Sequence, residues 1–219
     1  INLERLKKER EVVGIYISAH PLDDYLREIK NFTSTGLSSL NDLNKIINKD
    51  LYVGGIINEV EHLQTKTGNG FAVFSFEDFN DQYQFRIFGE DYLKYKHLLE
   101  ENKILRLRIS IREGWVNRET GRVGDPRIQF LNMELLDGII DSSSKKITLK
   151  IDSSTLNLDE VKKLKKIFSK HKGSKPVYFD ILDTNNEIKL NMISQQTKVS
   201  ITKDLLKSLE KEEFSYKLN

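Results

Sequence analysis

The sequence predicts an α+β chain of several domains: an N-terminal helical connector, a five-stranded β-barrel and a small C-terminal α+β domain. Three observations carry this. Apolar residues recur at helical spacing through residues 2–16. From residue 51 the period changes to two and holds, with one helical interruption, through the strand that ends near residue 136. After residue 146, short strands and helices alternate to the end of the chain, the pattern of one sheet covered by helices.

Leu3, Leu6, Arg10, Val13 and Ile17 mark the first helix, with Gly14 near its end. A second short helix is predicted over 21–30. Pro21 suits its first position, and Asp23 and Asp24 fall in the first turn, where the positive end of the helix dipole favours them. Residues 33–50, rich in Ser, Thr, Asn and Gly, are expected to form a linker with one helical turn. "LYVGGIINEVEHL" is a long strand, with a bulge or sharp bend expected at Gly54-Gly55. "QTKTGNG" is a hairpin loop, and "FAVFSFED" and "QYQFRIFG" are strands. "EDYLKYKHLLEEN" follows as a helix, "KILRLRISIREGW" as an alternating strand, "VNRETGRVGDP" as a long loop and "RIQFLNMELLD" as the last strand. Three strands, a helix and two strands is the order of an OB-fold, a small Greek-key barrel whose face and loops bind oligonucleotides.

"DGIIDSSSKK" is a second linker. Beyond it "ITLKI", "PVYFDIL", "EIKLNMI", "TKVSIT" and "FSYKL" are strands, the second and third flanking an Asn-Asn turn, and "NLDEVKKLKKIFSKH" and "KDLLKSLEK" are helices. The predicted domains are therefore residues 1–48 (connector), 49–138 (OB-fold) and 139–219 (α+β, a protein-interaction candidate).

The formal net charge is only +2, so any signal for a polyanionic partner must come from local clustering. The absence of cysteine excludes disulfides and thiolate metal sites and fits a reducing cytoplasm. No apolar run approaches the ~20 residues that span a bilayer. The chain starts at Ile1, inside a helical pattern, which reads as a piece of a longer protein. No glycine-rich phosphate loop, metal-ligand spacing or nucleophile elbow is present, so no catalytic residue, cofactor or small-molecule substrate is expected.

His20 with Asp23 and Asp24 has the parts for acid–base chemistry, but helix polarity already explains the acids and one histidine makes no ligand set. The strand "ILRLRISIR" is sharper. Leu105, Leu107, Ile109 and Ile111 point to one side, and Arg106, Arg108, Ser110 and Arg112 to the other. Between Lys103 and Arg127, seven basic residues, Arg118 and Arg122 among them, face three acids. Trp115 adds a stacking surface. Cations that track phosphates beside rings that stack on bases are what single-strand binding needs. The plainer alternative is a solvated strand face whose arginines are balanced by Glu77, Asp78 or Glu90. Lys66 in the first hairpin loop is a phosphate contact on the same reading, and Phe71 follows it. On the next two strands alternation opposes Phe74 and Phe76 to Phe71, and Tyr83 and Phe85 to Arg86 and Phe88, without saying which set is core. Residues 161–175 hold seven lysines and no acid, either a solvated face or a docking surface for DNA or an acidic partner.

"EREVVGIYISAHPLDDY" resembles a signature of the alpha subunit of the bacterial replicative DNA polymerase, DNA polymerase III, on Glu11, Gly14, Tyr16, Ser18, His20, Pro21 and Leu22, with Ala19 in place of the usual glycine. Gly54 to Ile57, Thr65 to Gly68, Phe76 to Asp78 and Phe85 to Phe88 are similar to landmarks of that family's OB segment. The resemblance implies a parent DNA-directed DNA polymerase that uses Mg2+ through residues upstream of Ile1. It also implies that this chain is non-catalytic, with an OB-fold on single-stranded template and a last domain that binds the clamp-loader tau subunit in the cytoplasm, with no membrane contact. The site residues expected are Lys66, Phe71, Arg86, Arg106, Arg108, Arg112, Trp115, Arg118 and Arg122. Two alternatives stand beside this reading: an RNA-binding OB module of a tRNA synthetase-like enzyme, and an interaction module whose OB-fold no longer binds nucleic acid.

Overall fold

The computed structural model describes residues 3–13, 16, 18–116, 120–154, 156–183 and 188–219, and the chain forms two units, residues 1–137 and 138–219. The first begins with α1 (Leu3–Val13), on which Leu6 is buried. Gly14 and Ile17, expected at its end, lie outside the described residues. The second predicted helix starts as a 3-10 turn (Asp23–Tyr25) and continues as α2 (Leu26–Phe32). His20 is its cap. Its backbone N–H donates to the Asp23 carboxylate at 2.8 Å, and its Nδ1 accepts from Leu22 N–H at 3.2 Å. The ring packs on Phe79, 4.7 Å between centroids, with Nε2 3.9 Å from the Glu77 carboxylate. The sequence's most enzyme-like cluster is therefore a turn docked on the sheet.

Residues 33–50 are not the loose linker expected. They form two 3-10 turns, Leu37–Asn41 and Leu43–Ile46, with Leu37 and Leu40 buried in the core of the sheet and Leu43 and Ile46 packed against it. Leu37, Leu40, Leu43 and Ile46 recur every third residue, the period of a 3-10 helix, and so share one face. Asp78 clamps this segment: one carboxylate oxygen accepts from Leu37 N–H at 2.6 Å, the other from Asn80 and Asp81 N–H at 2.8 Å each. Asp78→Ala orphans the Leu37 amide and removes a charge-assisted acceptor from all three. The expected cost is about 2 kcal/mol, read as a lowered urea midpoint.

Five antiparallel strands follow: β1 (Asp50–Gln64), β2 (Gly70–Glu77), β3 (Gln82–Phe88), β4 (Ile104–Arg112) and β5 (Arg127–Leu135), with α3 (Gly89–Tyr95) between β3 and β4. Their order in the sheet, β3-β2-β1-β4-β5, leaves β3 and β5 at the edges. The closed barrel that was expected is not formed. In its place, the Tyr95 hydroxyl of α3 donates to the Leu131 carbonyl of β5 at 3.2 Å, while α3 packs on β2 and β3. The two edges meet through rings rather than hydrogen bonds, with Phe85 on β3 5.7 Å from Phe130 on β5. The register shift in β1 falls between Ile57 and Glu59, not at the glycines. Gly55 instead permits close approach: a Cβ there would lie 2.3 Å from the Glu77 carbonyl oxygen.

Alternation along β4 holds as expected, with Leu105, Leu107, Ile109 and Ile111 fully buried. Packing also decides the aromatic sets. Phe74, Phe76 and Phe85 are core, while Phe71 and Phe88 share the outer face.

The second unit contains α4 (Ile139–Ser143), β6 (Ile147–Asp152), α5 (Leu158–Lys170), β7 (Lys172–Asp183), β8 (Ile188–Val199), α6 (Lys203–Lys211) and β9 (Ser215–Leu218). Its sheet order is β8-β7-β6-β9. Strands β6 and β7 are parallel across α5, and the other pairs are antiparallel. Asn157 and Glu160 close a capping box on α5, and the Thr202 hydroxyl accepts from Leu205 N–H to start α6. Leu164, Ile167 and Phe168 of α5 and Leu205, Leu206 and Leu209 of α6 bury their apolar faces. The two strands expected at "EIKLNMI" and "TKVSIT" are one strand, β8. The Asn-Asn turn before it lies outside the described residues. Among the described residues, no helix is long and apolar enough to cross a membrane.

Candidate nucleic-acid interface

The outer face of β2 and β3 carries the clearest site. Phe71 and Phe88 are cross-strand partners, and their rings stack 5.0 Å apart at 15°. Phe88 is 51% exposed, Phe71 is partly buried, and Leu63 of β1, opposite Phe71, adds a second exposed apolar side chain. Arg86 sits on the next outward position, opposite Val73, and is exposed. Lys66 stands on the turn that leads into β2. That turn closes by Gly68 N–H to Thr65 carbonyl at 2.9 Å, and Gly68 takes the left-handed φ of 81° that glycine tolerates. Among the described residues neither Lys66 nor Arg86 makes an ion pair. Glu59 and Glu61 occupy outward positions on β1. Their negative charge makes the β1 side of this face less hospitable to an anion than the β3 side, where Arg86 lies.

The arginines of β4 do line one face, but their charge is largely spent within the fold. Arg106 is held by Glu134 at 2.7 and 3.2 Å and donates to the Phe32 carbonyl of α2 at 3.4 Å, leaving its side chain 12% exposed. Arg108 pairs with Asp50 at 2.9 Å, a contact that raises its guanidinium above the ordinary arginine value. Both guanidiniums stack on Tyr52, at 5.0 and 5.6 Å. Arg112 donates to Gln129 at 3.2 Å and is exposed. Glu134 and Asp50 are thus the counter-charges, not the Glu77, Asp78 or Glu90 expected. The sequence could not show this, because β5 and the start of β1 reach β4 only through sheet register.

Arg106 therefore fastens α2 to the sheet. Arg106→Ala is expected to cost about 2 kcal/mol by removing two charge-assisted bonds to Glu134 and the bond to the Phe32 carbonyl, against less than about 0.5 kcal/mol for Arg86→Ala. Urea denaturation of the two variants checks this.

The loop after β4 makes a second platform. Trp115 is 76% exposed, and the Arg127 guanidinium lies 4.0 Å from its ring centroid. A Val116–Val123 bridge and a Gly124 N–H bond to the Trp115 carbonyl at 3.0 Å brace the loop, on which Arg122 is exposed. Arg118 lies outside the described residues. Phe88, Tyr52 and Arg127 belong to these surfaces and were not among the expected site residues. Cross-strand register, which pairs Phe88 with Phe71, was the missing signal. Among the described residues no three His, Asp or Glu side chains gather closely enough to hold a metal ion.

Residues 147–219 match the family described as DNA polymerase III alpha subunit, C-terminal domain. The chain is 29% identical over 196 residues to the DNA polymerase III subunit alpha of Borreliella burgdorferi, covering 87% of this chain and 16% of that protein. Against the Bacillus subtilis subunit it is 25% identical over 190 residues, with 86% and 16% covered. Against the Aquifex aeolicus subunit it is 35% identical over 103 residues, with 47% and 9% covered. The chain thus spans a small part, 16%, of the length of the first two of these relatives. Among solved structures, a putative aspartyl-tRNA synthetase from Leishmania major Friedlin matches with TM-score 0.31 and 13% identity, covering 62% of this chain and 26% of the other. A likeness that low supports no argument.

Proposed function

The chain belongs to the DNA polymerase III alpha subunit family, and from that premise we propose that it is a non-catalytic C-terminal segment of a bacterial replicative polymerase, in which the first unit holds single-stranded template DNA and the second docks the clamp-loader tau subunit. The parent would be a cytoplasmic, Mg2+-dependent DNA-directed DNA polymerase. One observation carries the DNA part: the Phe71–Phe88 ring stack, with Phe88 exposed and Phe71 partly so, beside Arg86 and Lys66, which make no ion pair among the described residues. Bases stack on such rings regardless of sequence, at about 1–3 kcal/mol per base, and the cations follow the phosphates. Trp115, with Arg127 over its ring, offers a second stacking point.

The test is an anisotropy titration of the full chain with fluorescein-labelled oligo-dT at two salt concentrations. Saturable binding that weakens with salt is expected, and Lys66→Glu with Arg86→Glu should weaken it about tenfold or more. These two sites are chosen because Arg106 and Arg108 bear on folding. Trp115, the only tryptophan, should be quenched if its loop touches the strand. Absence of binding at low salt, or binding untouched by the double substitution, sinks the DNA part. Preference for tRNA over oligo-dT in competition points to the RNA-binding alternative. Failure of the immobilised chain to retain the tau subunit sinks the docking part.

A further inference from the structure

In the second unit, α5 divides its lysines into two sets. Lys162 is neutralised by Asp159 at 3.0 Å, and Lys163 by Glu212 at 2.8 Å. Lys165 makes no ion pair among the described residues. With Lys172 of β7 and Lys198 of β8, equally without ion pairs, it lines a cavity of about 510 Å³. Ser169, Thr197 and Gln196 supply hydroxyl and amide groups to the wall, and no acid lines it.

The cavity sits at one end of β8, and β8 is itself unusual. It is the edge of its sheet, so among the described residues its outward backbone groups have no partner strand. Ile188, Leu190 and Met192 share one face, each 47–50% exposed. They lie opposite Asp183, Ile181 and Phe179 of β7. Ile193 and Leu182, 52% and 45% exposed, make the ribbon apolar on its other face as well. Proteins normally blunt such edges with charge. The charges on this strand are all basic among the described residues, at Lys189 and Lys198. Matching lysines oppose pairing with a second copy, and they attract a strand that carries acids.

We propose that the β8 edge and the lysine-lined cavity form one docking site, which takes an extended acidic segment of a protein partner by strand addition. This rests on the reading of the second unit as a docking domain, and adds where and by what chemistry it docks. The partner segment supplies main-chain hydrogen bonds along β8, apolar side chains over Leu190 and Met192, and carboxylates to Lys165, Lys172 and Lys198. From Ile188 to Lys198 the strand accommodates about ten residues at about 3.3 Å each. A nucleic acid would use the lysines but not the apolar side chains or the free edge.

The test uses the full chain and a fluorescein-labelled peptide of about ten residues, alternating valine and threonine and ending in glutamates. Wild type should bind it saturably. Leu190→Lys with Met192→Lys, and separately Lys165→Glu with Lys198→Glu, should each weaken binding about tenfold or more with circular dichroism unchanged. The same loss is expected for a peptide ending in lysines and for one N-methylated on alternate amides. No wild-type binding, equal binding of the lysine peptide or equal binding by the variants overturns the proposal. Displacement of the peptide by oligo-dT also overturns it, as does a concentration-dependent dimer that Leu190→Lys abolishes. If the chain retains the tau subunit while the peptide fails, the docking reading stands and this site falls. If the peptide binds as expected and tau is not retained, the site stands and the identity of the partner falls.

Discussion

Replacing Phe71 and Phe88 together by alanine is expected to weaken oligo-dT binding about thirty- to a hundredfold, from stacking of about 1–3 kcal/mol per base. The two rings are the only part of the outer β2–β3 face that combines aromatic surface with exposure, since Phe74, Phe76 and Phe85 are core. The stability change should stay near 1 kcal/mol, because the pair is half-exposed and ring–ring contact outside a core contributes about 0.5–1.5 kcal/mol. A Phe71→Leu and Phe88→Leu variant separates the two effects. It keeps apolar contact between the strands and removes the flat faces, so its urea midpoint should recover while its affinity does not. Recovery of affinity with leucine would mean that the rings act by burial alone, and unchanged affinity in the alanine variant would remove them from the interface.

Gly55→Val should cost more stability than any surface change, about 3 kcal/mol or above. Valine favours strands, so residue preference alone predicts a gain. Sterics predict the reverse: the new Cβ would lie 2.3 Å from the Glu77 carbonyl oxygen and 2.9 Å from the Phe76 ring, and a backbone carbonyl cannot swing aside as a side chain does. Glu77 is also where Asn58 and His20 converge on the sheet, so a displaced β2 end loosens the N-terminal cap as well. A urea midpoint equal to or above that of wild type would show that β1 and β2 separate freely there. The loss is a large fraction of the ~5–15 kcal/mol that holds a typical domain.

Much of the architecture was legible because it is written in local periodicity. The change from period 3.6 to period 2 near residue 51 located β1, and the ILRLRISIR alternation placed Leu105 to Ile111 inside. The 3-10 segment at 37–46 was written there too, in leucines every third residue, but its polar background concealed it. Pairing was the part that could not be read. Which acid meets which arginine depends on residues far apart in the chain: Arg106 with Glu134, and Arg108 with Asp50.

By itself, then, the sequence determined most of the elements, the two sides of β4 and the signature shared with one polymerase family, because each is a property of neighbours along the chain. Only the tertiary structure decided that Phe88 joins Phe71 while Arg106 is consumed by Glu134 and α2, that the sheet stays open between β3 and β5, and that three lysines from α5, β7 and β8 meet over one cavity. The physical reason is register. A slip of one residue between two strands turns every outward side chain inward, and no local pattern records which register the whole sheet selects.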